Sequence, residues 1–430
     1  MKSRNLAMLG IAAVGAIILA GCSGAAPEGP AQDADASITI WVDDTRTQPA
    51  EDYAAAHPDL NAKIESVDNT QGAISSRIAL ATKAGDDLPD VVFLSTPDEI
   101  ASLLANPVNF PLGLNGNVDD GVIDGFAAEA VGACTFGGDV YCLPNDIGQS
   151  VVYYNKPLFE QFGYTVPETF DEWLALGEKV AAEHPGYSLG SVNSRYGLGA
   201  YYGSSQCALT DSDDPTTVTL DPTSEECTRV NAVIGPLLAN GVLSPLDPFD
   251  PAFVPLVTEG KLLATISPSW MGEYGIKPNS PTEGQWAVAP TPKWEGSDAN
   301  TSGAVGGGIW VVSAKSANQK AALAFATAMS SDPEIQASAP TYPADKASAE
   351  KWLEKTAADT WYAEDPSAVL QDAAGQLSST QGYVRYSTQL LDSFNATVIA
   401  DAGKDIDSAW TAFGDQALSA AKAAGYTVNK

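Results

Sequence analysis

"DVYCLPNDIGQSVVYYNKPLFEQFGYTVPETFDEWLAL", residues 139–176, organises the reading of the whole chain. Its first residues complete "CTFGGDVYC", in which Cys134 and Cys142 flank a Gly-Gly pair. A hairpin turning on those glycines would bring the two cysteines together. At the far end, Thr169 precedes Glu172 by three residues, a capping box that opens the helix "TFDEWLALGEKVAAEH".

Towards the amino end, "SITIWV" alternates Ile38, Ile40 and Val42 as a short strand. "PAEDYAAAHPDL" reads as a helix stopped at His57-Pro58, because a residue before proline is pushed out of the helical region. The strand "AKIESV", the helix "AISSRIALATKAG" and the apolar strand "DVVFL" follow. Strands alternating with helices predict βαβ units and a parallel sheet. Towards the carboxyl end, "TVTLDPTSEECTRVNAVIGPLLANGVL" reads as strand, turn and helix closed at Asn240-Gly241. "GGGIWVVSAKSANQKAALAFATAMSS" reads as glycine turn, strand and Ala-rich helix, and the last hundred or so residues as almost wholly helical. No repeat of fixed period is visible.

A chain of 430 residues exceeds what one core supports, so two lobes or domains are expected. The formal charge of −32 argues against nucleic acid as a partner and keeps the surface apart from anionic membranes. Attachment to a membrane would have to come from the amino terminus. There, Lys2 and Arg4 precede an uncharged run from Leu6 to Ala20, the layout of a secretory signal. That run falls short of the ~20 residues a membrane span needs. Its end, Leu19-Ala20-Gly21-Cys22, resembles the bacterial lipobox, which makes residues 1–21 a cleaved leader and Cys22 a lipidated first residue. From Ser23 to Ala36 no large apolar residue occurs, and residues 22–37 read as a flexible tether.

Beyond Cys22 the cysteines are Cys134, Cys142, Cys207 and Cys227, an even number that suits two disulfides in an oxidising compartment. Three connectivities are possible, and the hairpin favours Cys134–Cys142 with Cys207–Cys227. Metal binding is the weaker reading, since no Cys-x-x-Cys occurs and both histidines, His57 and His184, precede prolines. The acidic loop "TDSDDPTT" lacks the glycine and the final glutamate of a calcium loop and reads as a solvated turn. No cofactor is expected. Neither Gly-x-Ser-x-Gly nor His-Glu-x-x-His is present, although 54 acidic residues leave room for a glycosidase carboxylate pair.

Four segments, in order, resemble the extracellular solute-binding proteins of bacterial ABC importers, carbohydrate group. They are "GDDLPDVVFLS", the opening stretch with its Tyr-Pro-Asp, Tyr-Tyr-Asn-Lys and Pro-x-Thr-Phe-Asp-Glu pattern, "TEGKLLATISPSWMGEY", and "GGGIWVVSAKSANQKAALAFATAMSS". The chain departs from the pattern at Trp173, where Leu is usual, and at Pro268-Ser269, which replace a glycine ahead of Trp270. The resemblance implies an α/β, two-lobed periplasmic-binding-protein fold (type II-like). Each lobe would be a mainly parallel sheet flanked by helices, with hinge crossings near Asp146, Pro290 to Pro292, and Pro340 to Pro343. Residues 38–145 and 290–340 would form the first lobe, and 146–289 and 341–430 the second. It further implies a lipid-anchored monomer on the outer face of the cell membrane that captures a carbohydrate between its lobes and delivers it to ABC permease subunits, without catalysis. A secreted glycoside hydrolase and a glycan-binding adhesin are the competing classes.

A sugar offers hydroxyls at its edge and C–H groups on its faces, so carboxylates, amides and flat aromatics are the side chains to look for. Trp41, Asp43 and Asp44 end the first strand, Asn69 follows the second and Ser95 the third, at the edge where parallel sheets bind ligands. Asp146 stands at the first crossing. Trp270 is the expected stacking platform, with Tyr274 one turn on. Gly306 to Gly308 would admit the ligand close to the backbone, with Gly307 central and Trp310 beside it. Tyr383 and Arg385, in "QGYVRYS", match the placement of the family's last ligand-facing loop.

Overall fold

The computed structural model of the protein describes residues 30–33, 37–70, 72–214 and 216–430. The leader, residues 1–21, and Cys22 lie outside the described residues. Strand β1 (Ile38–Val42) leads into helix α1 (Asp44–Ala56), β2 (Ala62–Ser66), α2 (Ala73–Ala84) and β3 (Val91–Leu94). β1 pairs parallel with both β2 and β3, as the strand–helix alternation requires. The hairpin β4 (Thr135–Phe136) and β5 (Asp139–Val140) turns on Gly137 and Gly138, both at positive φ, and the Cys134–Cys142 disulfide closes it. The second disulfide joins Cys207 to Cys227.

After β6 (Leu143–Pro144) the chain crosses as β7 (Asp146–Ile147) and enters the second lobe as β8 (Ser150–Asn155). Further on come β9 (Asp211–Asp214), β10 (Thr217–Thr219), β11 (Ala264–Pro268) and β12 (Trp286–Ala289). The chain then returns to the first lobe as β13 (Ile309–Val312), crosses again at β14 (Tyr342–Pro343), and ends in β15 (Thr427–Asn429). The first sheet runs β2-β1-β3-β13-β6, with β13 antiparallel to both its neighbours. β7 and β14 pair with each other, so two crossings lie side by side.

The second lobe departs from the mainly parallel expectation. Its central sheet, β11-β8-β12, is antiparallel throughout. The register gives the reason: β8 runs away from the crossing, whereas β11 and β12 run back to it, pairing Pro268 with Ser150 and Ala289 with Val152. Both strands therefore deliver their carboxyl ends to the boundary between the lobes. The acidic 210–217 loop also differs from a plain turn, because β9 pairs with β10, which pairs in turn with β15.

Side-chain alternation sorts the first sheet into two faces. Ile40, Val42, Val91, Phe93, Trp310 and Val312 join a core that continues into the second lobe. Trp41, Val92, Leu94, Ile309 and Val311 pack on the opposite face with Ile74 and Ile78 of α2. Part of the expected tether is fastened to the first lobe. Ala31 N donates to Gln319 Oε1 at 3.0 Å and Asp33 N to the Ala317 carbonyl at 3.0 Å. Lys320 N, a first-turn donor without an intrahelical acceptor, donates to the Ala31 carbonyl at 3.3 Å.

Candidate functional site

The site grows from the carboxyl ends of β1, β2 and β3. Asp43 caps α1, its Oδ1 accepting from Arg46 N at 2.9 Å, so the first turn aims the Arg46 guanidinium back over the strand end. Arg46 Nη1 then lies 3.1 Å from Asp43 Oδ2, and Nη2 lies 3.5 Å from Asp146 Oδ1. The guanidinium rests 4.2 Å above the Phe93 ring. Asn69 Nδ2 donates to Asp43 Oδ2 at 3.5 Å, and Ser95 Oγ donates to the Asn69 carbonyl at 3.5 Å. Asn69 Oδ1 is buried and accepts no hydrogen bond from the described residues.

Asp146 is held from behind. Its Oδ1 accepts from Asn145 Nδ2 at 2.7 Å and from Gly308 N at 3.1 Å. Asn145 is itself fixed by Trp310 Nε1 at 2.9 Å and Gln336 Nε2 at 3.0 Å, both donating to its Oδ1. Gly308 is required at its position: a Cβ there would stand 2.6 Å from Asp146 Oδ1 and 2.5 Å from Phe93. Burial pushes the Asp146 carboxyl above the usual carboxylate range, against the pull of Arg46, Asn145 and the Gly308 N–H. Burial alone would lower the Arg46 pKa, but Asp43 and Asp146 outweigh it, and the net shift is upward.

The second lobe supplies the aromatic side. β11 ends at Pro268, and Ser269 N donates to the Gln149 carbonyl at 2.7 Å, which sets Trp270 at the boundary. Trp270 Nε1 donates to the Val305 carbonyl at 2.8 Å. A short π-helical turn, Gly272–Ile276, carries Tyr274. The Tyr274 ring meets Trp270 edge-on at 6.1 Å, and its phenol faces Arg46 and Thr45 of the first lobe. Burial raises the pKa of that phenol, with Arg46 acting in the opposite direction. Gly306, at φ 84°, lies between the lobes: a Cβ there would be 3.3 Å from Trp270 Nε1 and 3.6 Å from the Ser95 carbonyl.

The structure thus brings Asp43, Asn69, Ser95, Asp146, Gly307, Trp270 and Tyr274 around one charged centre. Tyr383 lines the neighbouring end of the cleft with Thr96, Asp98 and Arg195. Asp44 is exposed and instead accepts from Ser66 Oγ at 2.6 Å.

Three further residues are corrected. Trp41 is a core residue, 5% exposed, with the Arg77 guanidinium 3.8 Å over its ring and its N–H donated to Glu65. Strand alternation turns it onto the α2 face, away from the cleft. Trp310 is 1% exposed on the opposite face, edge-on to Phe93 and Phe325, and its contribution is indirect, through Asn145. Arg385 packs 4.4 Å over the Tyr426 ring and donates to the Ala424 carbonyl at 2.8 Å, at the carboxyl end of the helix Ile406–Ala423. A cation is favoured there by the helix's unpaired carbonyls.

Arg46, Asp98, Arg195 and Phe249 were not anticipated. Phe249, 47% exposed, stacks on Trp270 with centroids 6.3 Å apart and planes 13° from parallel. The only signal in the sequence for Arg46 is its place three residues after the strand-end Asp43.

Comparisons with known proteins bear on the family and the fold. A family model described as bacterial extracellular solute-binding protein matches residues 41–337. A lactose-binding protein of Rhizobium radiobacter is 26% identical over 302 residues, 67% of this chain and 69% of its own length. An arabinooligosaccharide-binding protein of Halalkalibacterium halodurans is 24% identical over 262 residues, 59% of this chain and 57% of its own length. Among solved structures, an ABC-transporter-associated binding protein of B. animalis subsp. lactis Bl-04, in complex with β-1,6-galactobiose, superposes with a TM-score of 0.75. It has 19% identity and covers 92% of this chain and 99% of its own. The galacto-N-biose-/lacto-N-biose I-binding protein of Bifidobacterium longum gives 0.74 at 18% identity, covering 93% and 100%. At such identities the likeness is one of fold.

Proposed function

The chain belongs to the bacterial extracellular solute-binding proteins, and on that premise we propose that it captures a carbohydrate, an oligosaccharide, between its lobes and hands it to an ABC permease. The observation that carries the reading is the meeting of Asp43, Asn69 and Asp146 with Trp270 and Tyr274 across the lobe boundary. Carboxylates and amides suit the hydroxyl edge of a sugar, and charge strengthens those hydrogen bonds. The indole and phenol suit its C–H faces. The buried Asn69 Oδ1 supports a hydroxyl-bearing ligand, because buried polar atoms rarely go without a partner. Hinge closure of one lobe on another is an established way to enclose such a ligand.

Among the described residues no helix is long and apolar enough to cross a membrane. Attachment is assigned to a lipid on Cys22, which follows the apolar leader. Thermal-shift screening against a glycan panel tests the binding reading, since a ligand at ~100 times its Kd adds ~2.7 kcal/mol of stability. Chromatography of the recovered glycan separates capture from hydrolysis.

A further inference from the structure

Among the described residues, the two guanidinium groups that line the cleft are already faced by carboxylates. Arg46 has two, Asp43 at 3.1 Å and Asp146 at 3.5 Å, and all three side chains are largely buried. At the other end, Arg195 of the second lobe and Asp98 of the first line one cavity and attract each other across the boundary. Glu99, beside Asp98 and 4% exposed, is bound at the amino end of α2, its Oε2 accepting from Ser75 N at 2.8 Å. Asp43, Asp146 and Asp98 thus face Arg46 and Arg195 in the cleft itself, in a chain of formal charge −32.

We infer that this cleft selects uncharged saccharides and rejects sugars that carry a carboxylate or phosphate, an inference that rests on the carbohydrate reading above. A uronate entering the site would find no guanidinium without a carboxylate already opposite it. It would also bring its charge close to Asp43 and Asp146, where little water remains to weaken the repulsion. A neutral ring makes the same hydroxyl contacts without that repulsion. A bidentate arginine free to turn to the ligand is the strongest recogniser of an acidic sugar, and the geometry commits Arg46 elsewhere.

The test is calorimetric titration with pairs that differ only in the acid: β-1,6-galactobiose against its mono-uronate, and maltose against its mono-uronate. Each titration is run at 0.1 M and 1 M salt. The inference expects a neutral sugar to bind and its acidic partner to bind at least ~10-fold more weakly. It expects the gap to persist at 1 M salt, where exposed charges are screened within ~3 Å but enclosed ones much less. Equal or tighter binding of the uronate overturns it. So does a gap that closes at 1 M salt, which would place the discrimination on the outer surface. Failure of every sugar, neutral and acidic, in this and a wider glycan panel overturns the carbohydrate reading and this inference with it.

Discussion

Arg46 Nη2 stands 3.5 Å from Asp146 Oδ1, joining the first helix of one lobe to the strand that crosses to the other. The contact spans one hundred positions of sequence, and it gives the boundary between the lobes a fixed charged centre. Arg46→Met should remove that centre and leave Asp43 and Asp146 buried without their shared cation. Breaking a buried pair costs about 3 to 5 kcal/mol, and the partial exposure of Asp43 and Arg46 lowers the expectation to about 2 to 4 kcal/mol. Urea unfolding of the ligand-free protein measures it; a midpoint equal to that of the parent would contradict the buried pairing.

Acidification should weaken binding earlier than an ordinary aspartate allows. Burial raises the Asp146 pKa, so its acceptor charge is lost at a pH above the usual carboxylate range. Folding responds with the opposite sign. A carboxyl whose folded pKa is raised contributes stability that is fully present below the unfolded value of ~3.9 and is lost as pH rises through the folded value. Comparing the parent with Asp146→Asn isolates both effects. The parent alone should lose affinity across that window as pH falls, while its stability relative to the variant rises. A difference that does not vary with pH would show that Asp146 does not titrate there.

The two disulfides should differ in worth by the loops they close. Cys134–Cys142 spans 8 positions and Cys207–Cys227 spans 20. By loop entropy alone the longer bridge contributes about 0.8 kcal/mol more. Paired serine variants, compared by urea midpoint, check the order, and a larger loss from opening the hairpin would reverse it.

Cys22→Ala should release the protein from the membrane or leave it unprocessed, because the lipid would be the one anchor. Mass spectrometry of the mature amino terminus decides. An unmodified Cys22, or a mature chain beginning elsewhere, would remove the anchor.

Local chemistry made much of this architecture readable, and long-range chemistry was hidden. The Thr169 cap appears as expected, its Oγ1 accepting from Glu172 N at 3.2 Å, although Glu172 reaches back to Glu168 N. Gly137 and Gly138 turn the cysteine hairpin because both residues of such a tight turn need positive φ. Asp43, Asn69 and Ser95 were legible as strand ends, since a parallel sheet exposes those ends at its binding edge. Arg46 was not, because what makes it central is a carboxylate one hundred positions away. Trp41 and Trp310 misled for a related reason: aromatic identity says nothing about which face of a strand is covered, and the helix that covers Trp41 is fixed by tertiary packing. The antiparallel second sheet was equally hidden, since its strands are joined by connections long enough to return in either direction.

On the proposed function, a sugar lies between Trp270 and the Asp146 centre and leaves unchanged. Calorimetric titration of the parent, Trp270→Ala and Asp146→Asn with the best saccharide of a glycan panel tests it most directly, with chromatography of the recovered sugar. An indole covering a ring face contributes roughly 1 to 3 kcal/mol by area, so Trp270→Ala should bind about one to two decades more weakly. In the ligand-free fold the variant loses a hydrogen bond to Val305, about 1 kcal/mol, and in addition the packing of the indole against Tyr196 and Tyr274. Asp146→Asn should also bind more weakly, and the sugar should be recovered intact. Undiminished affinity in both variants would place the ligand elsewhere, and a cleaved sugar would contradict capture without catalysis.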